Sequence, residues 1–155
     1  MKQWKAQAYL VLLFDVNVLI AAHRPDHPHH RPATALLEQA LATPAPNVAV
    51  LDAVWVGLIR ICTNRRAFKE PSSLEELQAF ISAVRQASGY FHLVPSPAAI
   101  DRLLGLCERT QCRGDLVTDA YIAAIALDTA ATVVTFDRDF RRFDGLKILD
   151  PSIAA

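Results

Sequence analysis

Three aspartates at the ends of apolar runs are the residues of this sequence best suited to chemistry. Asp15 follows the continuously apolar stretch Ala8 to Phe14 and leads into Val16 and Asn17, and Asp119 stands at the head of an alanine-rich helical run. Asp137, with Asp139 two residues on, closes the β-branched run Ala131 to Phe136. A carboxylate directly after a buried strand needs a positive partner or a proton, because an isolated buried charge is costly. Asp15 is therefore either the cap of a helix starting near Val16 or a ligand to a bound cation. Acids that converge would repel one another, and their convergence favours an ion that prefers oxygen ligands, Mg²⁺ or Mn²⁺. Such an ion turns water into a nucleophile and stabilises the leaving oxygen of a phosphodiester, and asks little else of the protein. No serine or cysteine nucleophile with a general base is visible, and no Gly-rich phosphate loop.

What must position these acids is an alternation of strands and helices. Ala8 to Phe14 has the pattern of a central strand buried on both faces, followed by a short helix over Val18 to Ala22. A second helix opens near Pro32 and runs through Leu41, and Val48 to Leu51 reads as the second strand. Asp52 is the expected N-cap of a helix over Val54 to Thr63. Ser73 and Glu76 form a capping box for the next helix, through Leu77, Phe80, Ile81 and Val84, with Gly89 as its stop. Tyr90 to Val94 is expected as a third strand, broken by Pro95 and Pro97, ahead of a helix over Ala98 to Cys107. The helix from Asp119, the strand Ala131 to Phe136 and an edge strand Leu146 to Leu149 complete the chain. This order implies an α/β fold in three layers, a mainly parallel sheet between helices, in a single domain over residues 1–155. In such sheets the reactive crevice lies outside the carboxyl ends of the strands, which is where Asp15, Asp137 and Asp139 fall. Asp115 lies four residues before Asp119, so the two share a helical face if the first turn extends back.

Composition narrows the setting. With 52% hydrophobic residues in 155, the chain is ample for one core. Lys+Arg and Asp+Glu are 16 each, so no global field draws in nucleic acid or a membrane, and any polyanion must be held locally. Arg60 near the end of the expected third helix, Arg65 and Arg66 just past it, and Arg138 in the turn between Asp137 and Asp139 are either solvated surface or a phosphate-facing patch. Three cysteines without a CxxC pair argue against a disulfide framework and a zinc ribbon, and point to a reducing cytoplasm. Lys2 and Lys5 ahead of the first apolar run outline a signal peptide, but the run is short and ends on Asp15 with no small-residue cleavage site. No stretch is long enough to span a bilayer. His27, His29 and His30 sit among Pro25, Pro28 and Pro32, whose extended backbone favours a solvated loop over a histidine metal site.

Taken together, the apolar strand before Asp15-Val-Asn17, the segment Asp119 to Ala126 and Thr135-Phe-Asp-Arg-Asp-Phe140 resemble the PIN-domain ribonucleases, most of all the VapC toxins of type II toxin–antitoxin modules. The resemblance runs over nearly the whole chain. It implies an Mg²⁺-dependent endoribonuclease, with Mn²⁺ as a substitute, that arrests translation, forms a homodimer and is silenced by a VapB-like antitoxin. It makes Asp15 and Asp119 the principal metal ligands, Asp137 a further site acid, and Asn17 and Thr135 polar supports. One departure stands out. The family places a glutamate on the helix after the second strand, where this chain has Gly57, so the site holds one metal rather than two unless Asp115 or Asp139 compensates.

Two other readings stand beside this one. A haloacid-dehalogenase-like phosphatase also carries an aspartate after its first strand, but needs a second acid two residues on, which Asn17 cannot supply. A catalytically weak or inactive RNA-binding or regulatory domain is motivated by Gly57 and the zero net charge.

Overall fold

The computed structural model describes residues 10–153. Strand β1 (Leu12–Phe14) is buried at all three positions. That matches a central strand covered on both faces, and explains its unbroken apolar run. Ala8 and Tyr9 of the expected strand, and Lys2 and Lys5 of the signal-like outline, lie outside the described residues. Helices α1 (Val16–His23) and α2 (His30–Leu41) follow, then β2 (Val48–Ala49), α3 (Asp52–Cys62), α4 (Leu74–Gln86), α5 (Ala99–Thr110) and α6 (Leu116–Thr129). Strand β3 (Thr132–Val134), a 3₁₀ turn over Arg138–Arg142 and β4 (Lys147–Leu149) end the described fold.

Among the described residues the four strands form one sheet in the order β2-β1-β3-β4, every pairing parallel, flanked by the six helices. The expected α/β architecture is therefore the one adopted. Its register matters more than its order. Phe14 pairs with Val134, so the next residue of each central strand, Asp15 and Thr135, leaves the sheet side by side. The Asp15 N–H donates to the Val134 carbonyl at 3.0 Å, carrying the pairing to the edge of the crevice. Helix α6 buries Ala120, Ile122, Ala123, Ala124, Ile125 and Ala126. Small side chains over two turns let it lie close on the core, and this fixes the height at which Asp119 stands. Ala130, in left-handed conformation at φ 55, stops the helix and returns the chain to β3 within two residues.

Several local expectations are corrected. Tyr90 to Val94 is not a strand: Tyr90 makes a single parallel bridge to Val48 and the chain then leaves the sheet. The two residues of β2 offer little edge to pair with, and Pro95 and Pro97 have no N–H to extend a ladder. Asp52 is the first residue of α3, behind Leu51 as N-cap, and its carboxylate meets His92 at 3.3 Å. The capping box of Ser73 and Glu76 is present with both reciprocal hydrogen bonds. Gly89 does not stop α4, which ends at Gln86. It is required instead by space, since a Cβ there would lie 2.5 Å from the Ala40 carbonyl oxygen and 2.7 Å from that of Leu41.

The segment after α3 is tied back to the end of α1 by Arg24, which is buried. Its guanidinium donates to both carboxylate oxygens of Asp26 at 3.1 and 2.9 Å, to the Ser72 hydroxyl and to the Glu70 carbonyl, and lies 3.8 Å over the Phe68 ring. A cavity of about 510 Å³ opens beside it, lined by His23, Arg24, Asp26, Glu70, Ser72 and Glu76 among others. None of the aspartates singled out for the site lines it, and each guanidinium nitrogen of Arg24 donates within the protein, so Arg24 is an anchor of the loop.

Candidate active site

Asp15 serves as a helix cap with only one of its two carboxylate oxygens. One oxygen, Oδ1, accepts from the Val16 N–H at 2.7 Å, capping α1. The other, Oδ2, accepts from the Thr135 hydroxyl at 2.8 Å and from the Asn17 amide at 3.2 Å. All three donors are neutral, and the side chain is 3% exposed. Burial pushes its pKa up, and the Asp137 carboxylate adds to the rise, while the bonds from Thr135 and Val16 oppose it. A carboxylate so placed lacks a positive partner.

Thr135 is the hub of this network. Its hydroxyl gives its proton to Asp15 and accepts from the Asn17 amide at 3.1 Å and from the Asp137 N–H at 3.0 Å. Asn17 is locked at its other end, where Oδ1 accepts from the Phe136 N–H at 3.2 Å. Both supports named from the sequence thus hold Asp15 and the start of the Phe136–Asp137 loop in one piece. Asp137 in turn caps the 3₁₀ turn, its Oδ1 accepting from the Asp139 N–H at 2.8 Å.

Asp119 sits within the first turn of α6, half-buried, and its pKa is raised to about 7. Burial is the largest cause, followed by the charges of Asp15, Asp137 and Asp139, with Arg142 partly offsetting them. Acids from two other parts of the chain, the end of β1 and the turn after β3, therefore act on one carboxyl group, as the topology requires. Asp139 belongs to this field although it is exposed. Asp115 does not act on Asp119: it is the exposed N-cap of α6 and makes no capping bond with its side chain. Arg142, which the spacing of acids did not single out, is the cation that bears on Asp119. Its Nε donates to the Asp139 carbonyl at 3.2 Å, and the signal for it was a basic residue one 3₁₀ turn beyond that acid.

Arg60 lies in the last turn of α3, Arg65 and Arg66 lie in the turn beyond it, and Arg138 opens the 3₁₀ turn. All four are exposed, and none forms an ion pair with a described carboxylate. The histidines of the proline-rich loop have separate tasks: His27 accepts from the His29 N–H, His29 stacks on Phe136, and His30 Nδ1 donates to the Ala21 carbonyl at 2.8 Å. At Gly57 a Cβ would make ordinary contact, 3.5 Å from a methyl of Val16, so the helix face beside Asp15 has room for a side chain that is absent.

The donor set is entirely oxygen: carboxylates, an amide and a hydroxyl. That suits a hard divalent cation, and no thiol or imidazole takes part. Among the described residues no three His, Cys, Asp or Glu side chains form a ready-made cage. A small ion that keeps several of its waters needs no cage, only one or two carboxylates and the oxygens of a phosphate.

Comparison with known proteins gives one consistent result. A family model described as the PIN domain matches residues 12–146. Ribonuclease VapC25 of Mycobacterium tuberculosis is 39% identical over 143 residues, 92% of this chain and 100% of that protein. Ribonuclease VapC43 of the same organism is 36% identical over 141 residues, 91% of this chain and 95% of its own length. Among solved structures, the VapBC2 complex of Rickettsia felis, bound to a DNA fragment from its promoter, contains a chain that superposes with a TM-score of 0.64 at 17% identity, covering 90% of this chain and 98% of that one.

Proposed function

This chain belongs to the PIN-domain family and, within it, to the VapC ribonucleases, and on that premise we propose that it is a divalent-metal-dependent endoribonuclease, the toxin of a VapBC-type module. The observation that carries the reading is the field around Asp119, where three other carboxylates and burial raise its pKa to about 7 with one arginine in opposition. Such a site has negative charge in excess of its own cations, and a divalent ion would balance it.

In this reading Asp15 and Asp119 hold the ion, Mg²⁺ with Mn²⁺ as a substitute, and Asp137 is a further site acid. When bound, the ion would lower the pKa of a water and offset charge on the leaving oxygen of the phosphodiester. Thr135 and Asn17 hold the Asp15 carboxylate in one orientation, so little reorganisation would be needed as charge develops. Asp139 adds to the field from the rim, with Asp115 one turn before Asp119 as a weaker candidate. Arg60, Arg65, Arg66 and Arg138 are candidates for holding the RNA backbone, each as a planar fork for phosphate. The protein works in the cytoplasm as a homodimer, as one domain over residues 1–155, and a VapB-like antitoxin restrains it. Among the described residues no helix is long and apolar enough to cross a membrane.

The test is cleavage of total RNA by the purified protein. Fragments should form with Mg²⁺ or Mn²⁺, stop on EDTA and resume when metal is restored, while Asp15→Ala is inert throughout. Cleavage that persists in EDTA or in Asp15→Ala would remove this site from the reaction. A second reading, an RNA-binding domain with little catalysis, is favoured by the open space at Gly57. It would be supported by RNA binding without fragments at any metal concentration.

A further inference from the structure

The stack of His29 on Phe136 has no part in the network that holds Asp15. The two rings lie 4.7 Å apart between centroids and 26° from parallel. Phe136 lies between Thr135, the hub of the site, and Asp137, and its own N–H is bound by Asn17. The stack therefore joins the loop between α1 and α2 to the wall of the carboxylate crevice. Its inner ring is half-buried, but His29 is exposed, and the His29 ring makes no hydrogen bond to a described residue. An aromatic ring packed on both faces would be covered. This one is left at the rim with its polar edge unused.

The loop that carries it is held firmly. The His29 N–H donates to His27 Nδ1 at 3.1 Å, and His30 is fixed to the Ala21 carbonyl on the other side. His27 adds a further ring 5.9 Å from that of His29. Single-stranded RNA is gripped by flat side chains on which unstacked bases lie. We propose that His29, backed by Phe136, is a stacking platform for a nucleobase of the RNA next to the scissile phosphate, and so a residue that selects and positions substrate. This rests on the ribonuclease reading, to which it adds how the substrate is seated.

The platform is set in advance by Phe136 and the loop, so binding would immobilise little that is not already fixed. Stacking tolerates any base, since every base has a π-face. The variants that test it are His29→Ala and His29→Tyr in the full chain. The readouts are kcat and KM on an RNA that the wild type cuts under Mg²⁺, and anisotropy with a short single-stranded oligoribonucleotide and its abasic counterpart. His29→Ala should raise KM and weaken the oligoribonucleotide roughly tenfold, the size of one lost base stack, with kcat little changed. His29→Tyr should restore most of that affinity, and both variants should bind the abasic backbone as the wild type does. The melting temperature rise on adding Mg²⁺ should be the same in all three proteins, which separates this platform from the metal site.

An unchanged KM and affinity in His29→Ala, or an equal loss on the abasic backbone, would overturn the platform while leaving the ribonuclease intact. A wild type that neither binds nor cuts RNA would overturn both.

Discussion

Asp119→Asn is expected to lower kcat/KM for RNA by about a thousandfold, the scale of losing a principal source of charge stabilisation, and to make the metal-free protein more heat-stable at neutral pH. The opposite signs have one cause. In the folded protein Asp119 has its pKa raised to about 7 from an ordinary 3.8 by burial and by Asp15, Asp137 and Asp139. Between those values the folded state holds a proton that the unfolded chain gives up. The stability this proton contributes is fully present below about pH 4 and is lost as pH rises through about 7. The metal-free wild type should accordingly show a melting temperature that falls over that interval. Asp15, whose pKa is raised in the same direction, adds to the slope. Asparagine cannot ionise, so the variant should show a shallower slope and little response to Mg²⁺. Thermal melts across pH, with and without metal, measure both. A variant with the wild-type slope would show that the repulsion is not centred on Asp119.

Thr135→Val is expected to be the most damaging change of a residue that would not itself touch the ion. Thr135 is 1% exposed, and its hydroxyl serves Asp15, Asn17 and the Asp137 N–H together. Valine keeps the shape and removes all three bonds, leaving buried polar groups with fewer partners, at a cost of about 3 kcal/mol. For a chain of this size that corresponds to a fall of about 10 °C in melting temperature. Activity should fall as well, because the Thr135 bond opposes the rise in the Asp15 pKa and its loss lets protons compete with metal. Thr135→Ser restores the hydroxyl and should recover most of both losses. If valine and serine variants melt together near the wild type, the hub assignment is wrong.

Much of this arrangement was legible because three motifs, each weak alone, stand in order at the right separations. An apolar run ending on Asp15 and a β-branched run followed by Asp137 read as strands of one mainly parallel sheet, with their ends at one edge; that they are neighbours, with Phe14 paired to Val134, comes from the structure. Asn17 came from the resemblance to the PIN-domain family, and the capping box of Ser73 and Glu76 is a local rule that tertiary packing did not override. What was not legible depends on contacts between distant segments. Tyr90 to Val94 has a strand's composition, but β2 is too short to give it an edge. Gly89 has the look of a helix stop, while its reason is the approach of the Ala40 and Leu41 carbonyls. Asp115 and Asp119 have helical spacing, yet α6 begins at Leu116, which leaves Asp115 outside the helix and in solvent. The stacking of His29 on Phe136 brings together residues more than a hundred positions apart, and histidine in a proline-rich loop carries no sequence mark of it.

The central claim is that carboxylates remote in sequence hold a divalent cation at the carboxyl end of β1 and β3. Crystals soaked in Mn²⁺ and measured at its absorption edge address this directly. The account predicts an anomalous peak within coordination distance of the Asp15 and Asp119 carboxylates, absent in Asp119→Asn. A peak only at the histidines of the α1–α2 loop, or none near Asp15 in well-occupied crystals, would contradict it.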